Sequence, residues 1–298
     1  MFERGEMAGR ILVTPRSVTR DGHPALEALR EAGYELVFSQ AGELPGEEEL
    51  VRLVPGCVGY LAGIERITRK VLAAADALRV ISRNGVGVDN IDMSAATESG
   101  IRVCLAEGAN ARGVAELTLG LMLALARALP YSDARLKQGR WERRQGAELA
   151  GRTLGLVGCG RIGKLVAGFA LALGMRVRAH DVAADRAFSP AGDFAYDGLE
   201  AVLAGADFLS LHCPSSKGGP PLIDSAALAT MKRGAFLINT ARAGLLDEQA
   251  VLAALDSNHL TGVAVDVFDP EPPGDSALVK HDWVRVSRPR ETALCAGF

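Results

Sequence analysis

The stretch TLGLVGCGRIGKLVAGFALALGMRVRAHD, residues 153–181, decides the fold of this chain. It opens with a short apolar run at 154–157, of the length typical of a buried parallel strand. Three glycines spaced G-x-G-x-x-G follow, and then apolar residues that recur every three or four positions, as on one face of a helix. A second strand at 175–179 ends at Asp181. Together these features predict one complete βαβ unit.

Each glycine of the turn has its own physical task. Gly158 permits a tight turn, Gly160 lets backbone amides approach a pyrophosphate, and Gly163 lets the helix pack closely on the strand. The helix begins near Arg161 and Ile162, where unpaired N–H groups and a partial positive charge favour phosphates. The turn therefore predicts a dinucleotide site, with these five residues as cofactor-binding candidates.

An acidic residue at the tip of the second strand indicates which dinucleotide binds. Asp181 lies 18 residues past Gly163, where its carboxylate can accept hydrogen bonds from the adenosine ribose hydroxyls. A 2′-phosphate on that ribose would be repelled, so NAD is favoured over NADP. Use of NADP is the weaker alternative.

Composition limits the class of protein. A chain of 298 residues with 48% hydrophobic residues can form two domains, each with its own core. The net charge of −3 and the lack of a basic block argue against a nucleic-acid partner. The longest apolar run, 117–129, is too short to span a bilayer, and the charged N-terminus does not resemble a signal peptide. Five scattered cysteines and no clustered histidines predict reduced thiols and no metal site. We therefore expect a cytoplasmic protein with no membrane partner.

The rest of the chain alternates strand-like and helix-like segments, which predicts parallel sheets covered by helices. Strands are expected before the glycine turn at 11–14, 35–38, 57–61, 80–82 and 101–105, and after it at 208–212, 235–239, 263–267 and 284–287. The fold class is therefore α/β, with two doubly wound parallel-sheet domains. The C-terminal one is a Rossmann dinucleotide-binding domain of roughly six strands.

A long helix is expected at 112–129, between the two sheets in the sequence. It is apolar over most of its circumference, which predicts burial between domains or in a subunit interface, and Pro130 is expected to end it. This helix is the basis for expecting a homodimer.

Ligands of doubly wound sheets bind beyond the carboxyl ends of the strands. The candidates at those ends are His212, Cys213, Pro214, Thr240, Ala241, Arg242, Asp266 and Glu271. Arg242 can clamp a carboxylate through two parallel hydrogen bonds, Asp266 can bind the carboxamide of a nicotinamide, and Glu271 can raise the pKa of a neighbouring base. Two alternatives stay open: an ion pair between Arg242 and Glu271, and a packing role for His212.

Six segments in register resemble the D-isomer-specific 2-hydroxyacid dehydrogenase family, most closely its phosphoglycerate dehydrogenase-like branch. They are residues 82–92, 110–116, 158–163, 211–214, 238–242 and 266–272. The resemblance covers nearly the whole chain in family order. It implies hydride transfer between NAD and C2 of a small D-2-hydroxy acid, such as 3-phosphoglycerate, with the 2-oxo acid as the other substrate.

The resemblance also implies roles for domains and residues. A flavodoxin-like substrate-binding domain would comprise 1–106 and 288–298, with 107–287 as the NAD-binding Rossmann domain and a deep cleft between them. Arg242 would hold the substrate, and Glu271 would pair with a histidine that acts as general acid and base. The implied substrate-binding residues are Arg83, Asn84, Val86 and Gly87. The charge of Arg83 would suit a phosphate or a second carboxylate, and a solvated arginine is the alternative.

The C-terminal segment departs from the family pattern. A Pro-His pair is expected after the last strand, but Arg288-Pro289-Arg290-Glu291 stands there and no histidine follows His281. Without an imidazole, the hydroxyl proton has no acceptor whose pKa lies near neutrality. Two hypotheses follow: a dehydrogenase, with reduced turnover, and a catalytically impaired NAD(H)-binding protein that reports the NADH level to a partner.

Overall fold

The computed structural model describes residues 8–143, 145–216 and 218–287. These residues form two compact units, the first ending at Asn110 and the second starting at Ala111. Each unit contains one parallel sheet with helices along the chain between its strands. The predicted α/β fold class is confirmed.

The first unit contains a five-stranded sheet whose order, β2-β1-β3-β4-β5, is that of flavodoxin-like folds. Its elements are β1 (Gly9–Val13), α1 (Arg16–Asp21), α2 (Ala25–Glu31), β2 (Tyr34–Phe38), α3 (Glu47–Leu53), β3 (Cys57–Ala62), α4 (Arg69–Ala74), β4 (Val80–Arg83), α5 (Met93–Glu98) and β5 (Arg102–Leu105). All five predicted strands are present, within two residues of their expected bounds. Helix α1 was not predicted, since only Val18 among its six residues is buried and no apolar period marks it.

The second unit contains a seven-stranded sheet of order β12-β11-β10-β9-β6-β7-β8, in which every pairing is parallel. Its elements are α6 (Ala111–Ala126), α7 (Leu129–Lys137), β6 (Thr153–Val157), α8 (Arg161–Ala172), β7 (Arg176–His180), β8 (Phe194–Tyr196), α9 (Leu199–Gly205), β9 (Phe208–Leu211), α10 (Ser225–Thr230), β10 (Ala235–Asn239), α11 (Glu248–Asp256), β11 (Leu260–Val265), α12 (Ala277–Lys280) and β12 (Val284–Val286). The strand order reverses at β6, as it does in a Rossmann sheet. The prediction of roughly six strands missed β8, a partly exposed edge strand of three residues.

The central strands of this sheet carry the core of the second unit. β6, β9 and β10 are buried along their whole length, so they appear in the sequence as continuous apolar runs. Alternate residues face opposite sides: Leu154 and Leu156 pack on the side of α6 and α8, whereas Leu209 and Leu211 pack on the side of α9 and α11. The strand ends are held in register by this burial, which fixes where the polar residues after each strand lie.

The long apolar helix differs from its prediction at the C-terminal end. α6 ends at Ala126, Ala128 adopts a left-handed φ of 49°, and Pro130 lies in the first turn of the new helix α7. Proline is well suited to a first helical turn, because the amide it lacks would be unpaired there. Pro130 therefore starts a second helix instead of closing the first. No single helix in the described residues is long and apolar enough to cross a membrane, although α6 and α7, bent by 60°, pass that test together by length and composition.

Candidate functional site

In the glycine turn between β6 and α8, two of the three glycines have no room for a side chain, and the third faces open space. Gly158 has φ +94°, and a Cβ there would lie 2.6 Å from the carbonyl carbon of His212. A Cβ on Gly163 would lie 2.3 Å from the carbonyl oxygen of Gly158. A Cβ on Gly160 would meet no atom within 4 Å among the described residues. The turn thus has the close approaches and the uncovered face that a pyrophosphate site requires.

The first turn of α8 is available to an anion. Gly160 is its N-cap and supplies no side-chain hydrogen bond to the helix amides. Arg161 and Ile162 are the first two helical residues. The N–H groups of a first turn carry a partial positive charge, which favours phosphate oxygens. The residues present therefore fit the pyrophosphate of NAD.

Asp181 lies beside this turn, directly after β7. Its Oδ2 accepts a hydrogen bond of 2.7 Å from the backbone N–H of Cys159, and its Oδ1 accepts one of 2.8 Å from the N–H of Ala183. Val157 and His180 are partners in the parallel pairing of β6 with β7, so both strands end at the same level. Asp181 therefore lies beside the glycine turn as the sequence indicates, and its contact with a ribose stays a prediction.

The residues after β9 form the wall of the turn. The N–H of His212 donates to Val157 O at 2.7 Å, and its Nε2 lies 2.9 Å from Ser210 Oγ. Burial lowers the pKa of His212 to about 4, so its imidazole is neutral at physiological pH. Cys213 is partly buried and Pro214 is exposed beyond it. The packing interpretation of His212 agrees with these contacts, and its cofactor contact stays a prediction.

The loop that carries Arg242 is shaped by a buried asparagine. Asn239 Nδ2 donates to Arg242 O at 2.8 Å, and Asn239 Oδ1 accepts from the N–H of Ala241 at 3.1 Å. Thr240 Oγ1 lies 3.1 Å from Thr118 Oγ1 of α6. Because the Thr118 hydroxyl donates to Val114 O at 2.8 Å, Thr240 must be the donor between the two hydroxyls. The loop is therefore held rigidly on both sides.

Asp266 and Glu271 follow β11. The N–H of Asp266 donates to Asn239 O at 3.1 Å, and its carboxylate accepts a hydrogen bond from Ser287 Oγ. Burial, with the charge of Glu271 adding to it, raises the pKa of Asp266 from 3.8 to about 6. Glu271 itself is exposed and accepts an N–H bond of 3.3 Å from Phe268. Within the part of 8–287 that the structure describes, Glu271 raises the pKa of another carboxylic acid, Asp266.

The raised pKa of Asp266 should make stability depend on pH. Between about pH 4 and 6 the folded state binds more of this proton than the unfolded state, so the contribution of Asp266 to the free energy of unfolding falls as pH rises through that window. In urea unfolding, the free energy of unfolding of wild type should fall by about 2 kcal/mol relative to that of Asp266→Asn as the pH rises from about 4 to 6. Asp275→Asn, at a side chain that is 86% exposed, is the control and should follow wild type. Parallel curves for wild type and Asp266→Asn would contradict the prediction.

The first unit places the predicted substrate-binding loop at the carboxyl end of β4. Arg83 is 9% exposed, and one of its guanidinium nitrogens donates to Asn84 O at 2.6 Å. The solvated-arginine alternative is therefore wrong, since the side chain folds back on its own loop. Asn84 N donates to Ala62 O at 2.8 Å, while Val86 is 36% exposed and Gly87 partly exposed.

Sequence reasoning missed a buried acid in the first unit. Glu65 is 1% exposed, and its Oε1 accepts hydrogen bonds from Thr14 Oγ1, from Tyr60 OH at 2.9 Å and from the N–H of Gly63 at 2.9 Å. Asn90 Nδ2 donates to Glu65 O at 2.7 Å. This cluster joins the carboxyl ends of β1 and β3 to the segment after the 84–87 loop. A single acid beyond an apolar strand has no sequence pattern that could have revealed it.

Comparison with known proteins identifies the family. The family model for the NAD-binding domain of the D-isomer specific 2-hydroxyacid dehydrogenases matches residues 119–287. The chain belongs to this dehydrogenase family. The match contains the glycine turn, Asp181, Arg242 and Asp266, so the predicted NAD cofactor is confirmed at the level of the family.

Two similar proteins carry different enzyme names. The chain is 41% identical over 263 residues to a D-3-phosphoglycerate dehydrogenase of Methanocaldococcus jannaschii, covering 87% of this chain and 50% of that protein. It is 39% identical over 253 residues to a hydroxypyruvate reductase of Thermotoga maritima, covering 83% of this chain and 82% of that protein. The chain thus spans about half the length of the phosphoglycerate dehydrogenase and most of the reductase.

Solved structures agree with the dehydrogenase fold. The TT0316 protein of Thermus thermophilus superposes with a TM-score of 0.82 at 38% identity, covering 93% of this chain and 88% of that one. A D-2-hydroxyisocaproate dehydrogenase gives a TM-score of 0.80 at 27% identity, covering 96% and 92%. The prediction of two parallel-sheet domains, of which the C-terminal one is a Rossmann domain, is confirmed.

The comparisons give no support to the hypothesis of a catalytically impaired dehydrogenase, because the similar proteins are named as dehydrogenases and a reductase. The departure that motivated it concerns residues from 288 onward, which lie outside the described residues, as does the predicted domain segment 288–298. His281, the last histidine, precedes β12 and contacts Asp256 Oδ1 at 3.3 Å. It therefore lies at the opposite end of its strand from Ser287, as predicted.

Proposed function

We propose that this chain is an NAD-dependent oxidoreductase that transfers a hydride between C2 of a small D-2-hydroxy acid and NAD. The observation that carries the proposal is the glycine turn with Asp181 hydrogen-bonded to it, in a chain whose family takes its name from this reaction. When bound, NAD supplies the acceptor for the hydride. The substrate class we propose is 3-phosphoglycerate-like, as in the relatives named D-3-phosphoglycerate dehydrogenase.

Some residues of the second unit bind NAD, and others bind the substrate acid. Gly158, Gly160 and Gly163, with Arg161 and Ile162, bind the pyrophosphate through backbone N–H groups. His212, Cys213, Pro214, Thr240 and Ala241 line the cofactor, and Asp266 holds the carboxamide. Arg242 binds the substrate carboxylate with two parallel hydrogen bonds, and Glu271 supplies a negative charge near the reacting group.

The first unit binds the acid in this proposal. Residues 1–106 with 288–298 form the substrate-binding domain, and 107–287 form the NAD-binding domain. Backbone N–H groups of Asn84, Val86 and Gly87 cradle a carboxylate. Arg83, whose guanidinium is already turned onto Asn84 O, gives the loop positive charge and rigidity. The protein acts in the cytoplasm, with no membrane or nucleic acid as partner.

A spectrophotometric screen tests the activity. Purified protein with NAD should form NADH from at least one acid in a panel that includes D-3-phosphoglycerate and D-glycerate. With NADH it should reduce the corresponding 2-oxo acids. Absence of turnover with every acid, in both directions, would remove the enzyme assignment.

A homodimer built around α6 and α7 is the proposed assembly. Leu123, Leu129, Leu136 and Trp141 are large apolar residues with exposed fractions of 37%, 57%, 58% and 78%. Large exposed apolar side chains that recur within one stretch of the chain favour a protein interface there. Sedimentation at micromolar concentration should give the mass of two chains, and Leu136→Asp should shift the species towards one. Leu173→Asp, at the exposed residue that follows α8, is the control and should stay dimeric. A single-chain mass for wild type would contradict the assembly.

A further inference from the structure

We propose that Asp185 is a second residue that selects NAD over NADP, and that it does so by binding Lys164 and so withholding its charge from a 2′-phosphate. The inference rests on the proposed NAD site. It assigns the choice between NAD and NADP to three charged residues, Asp181, Asp185 and Lys164, instead of to Asp181 alone. The ligand group it concerns is the phosphate ester that distinguishes the two dinucleotides.

Lys164 and Asp185 form a close ion pair at the edge of the glycine turn. Lys164 is the fourth residue of α8, and its Nζ lies 2.5 Å from Asp185 Oδ2. The same ammonium lies 5.3 Å from the ring centroid of Phe188. Asp185 Oδ1 accepts the N–H of Ala187 at 3.0 Å. The hydrogen bond from Lys164, then that from Ala187, lowers the pKa of Asp185, so this residue stays an anion. The ammonium is thus held by the protein on two sides.

The pair is connected to the turn that Asp181 contacts: Asp185 follows Asp181 by four residues, and the N–H of Lys164 donates to Gly160 O at 3.0 Å. Both oxygens of Asp181 accept backbone hydrogen bonds, from Cys159 in the glycine turn and from Ala183. The pKa of the Cys159 thiol is raised mainly by burial, and it is further raised by both aspartates and lowered by Lys164. The three charged side chains therefore belong to the helix that starts at the glycine turn and to the segment that directly follows β7. Their sum is one cation against two anions, a net charge of −1.

This charge balance predicts what a 2′-phosphate would meet. Removing Asp181 alone relieves one repulsion but leaves Lys164 neutralised by Asp185. Removing Asp185 as well frees an ammonium on the helix that starts at the pyrophosphate site, where a phosphate is the natural counter-charge. The competing interpretation is an exposed ion pair that only fastens the loop, since such pairs contribute little to stability. In the proposal, Lys164 binds the 2′-phosphate once Asp185 is removed, whereas in the alternative Lys164 has no effect on nucleotide binding.

Binding of NADH and NADPH to the full chain, followed by nucleotide fluorescence, tests the inference. Three variants are compared. The single variant is Asp181→Asn, the double variant adds Asp185→Asn, and the triple variant adds Lys164→Met. Asparagine keeps an acceptor for the N–H of Ala187 and preserves the turn. The double variant should bind NADPH about tenfold more tightly than Asp181→Asn does, and Lys164→Met should remove that gain.

The controls separate this inference from the cofactor site itself. Asp193→Asn, at an exposed acid paired with Arg178, should leave the NADPH-to-NADH ratio of wild type unchanged. Equal NADPH affinity for the single and double variants, or a gain that survives Lys164→Met, would overturn the role of Asp185 while leaving NADH binding intact. Failure of wild type to bind NADH would instead overturn the proposed function.

Discussion

Replacing Arg242 with alanine is expected to lower kcat/KM for the hydroxy acid about a thousandfold, which corresponds to about 4 kcal/mol of transition-state stabilisation. The residue follows β10, in a loop that Asn239 fixes through two side-chain hydrogen bonds. One guanidinium nitrogen of Arg242 donates to Ala241 O at 2.7 Å, and this contact orients the side chain on which a bidentate bond to a carboxylate depends. Arg242→Lys should recover only a small part of the loss, because an ammonium cannot form two parallel bonds in one plane.

The measurement is steady-state kinetics with the acid varied at saturating NAD, together with the dissociation constant of NADH. NADH affinity should change little, since the loss concerns the acid. Arg233→Ala is the matched control: Arg233 donates to Ser257 O, precedes β10 and should be dispensable for turnover. If Arg242→Ala keeps kcat/KM within threefold of wild type, the ion-pair alternative for this arginine is the better interpretation.

Gly163→Ala should have the second largest effect, on both the fold and the cofactor site. The added Cβ would lie 2.3 Å from Gly158 O, a backbone atom that cannot turn aside as a side chain would. The start of α8 must move away from β6, at a cost of about 3 kcal/mol in the free energy of unfolding. A shift of about 1 Å in the amides that face the pyrophosphate should weaken NADH binding about a hundredfold.

Gly168→Ala is the control on the same helix. Gly168 is exposed, and a Cβ there meets no described atom within 4 Å. Alanine in an exposed helix interior should therefore raise the free energy of unfolding by about 0.5–1 kcal/mol and leave NADH binding unchanged. Denaturant unfolding and NADH titration of both variants provide the comparison. Equal tolerance of alanine at the two positions would contradict the close packing ascribed to Gly163.

The sequence was most informative where the chemistry is local. The apolar run at 154–157, the three glycines and Asp181 depend on near neighbours in the chain, and strand β6, helix α8 and the acid at the tip of β7 all lie where the pattern indicates. The family resemblance allowed predictions for segments that are distant from one another in the sequence. Bounds of the predicted strands differ from those of the structure by up to three residues, because strand ends depend on packing.

What the sequence could not predict arises from contacts between distant segments. Thr118 and Thr240 are 122 positions apart, and their hydrogen bond has no pattern in either segment. The raised pKa of Asp266 depends on burial that only the folded sheet creates. The sequence predicts that Pro130 ends a helix, but a proline in a helical run can either break a helix or occupy the first turn of the next one. The left-handed Ala128 decides between the two here.

Calorimetric titration of NADH into the wild-type chain tests the central claim most directly, because that claim concerns the glycine turn and Asp181 together. The account predicts one saturable site per chain, and weaker binding when Asp181 is replaced by alanine. It predicts this with no hydroxy acid present, since the groups that would hold the nucleotide all belong to the second unit. Absence of heat and of fluorescence change at millimolar NADH would contradict the account, as would an Asp181→Ala variant that binds as tightly as wild type.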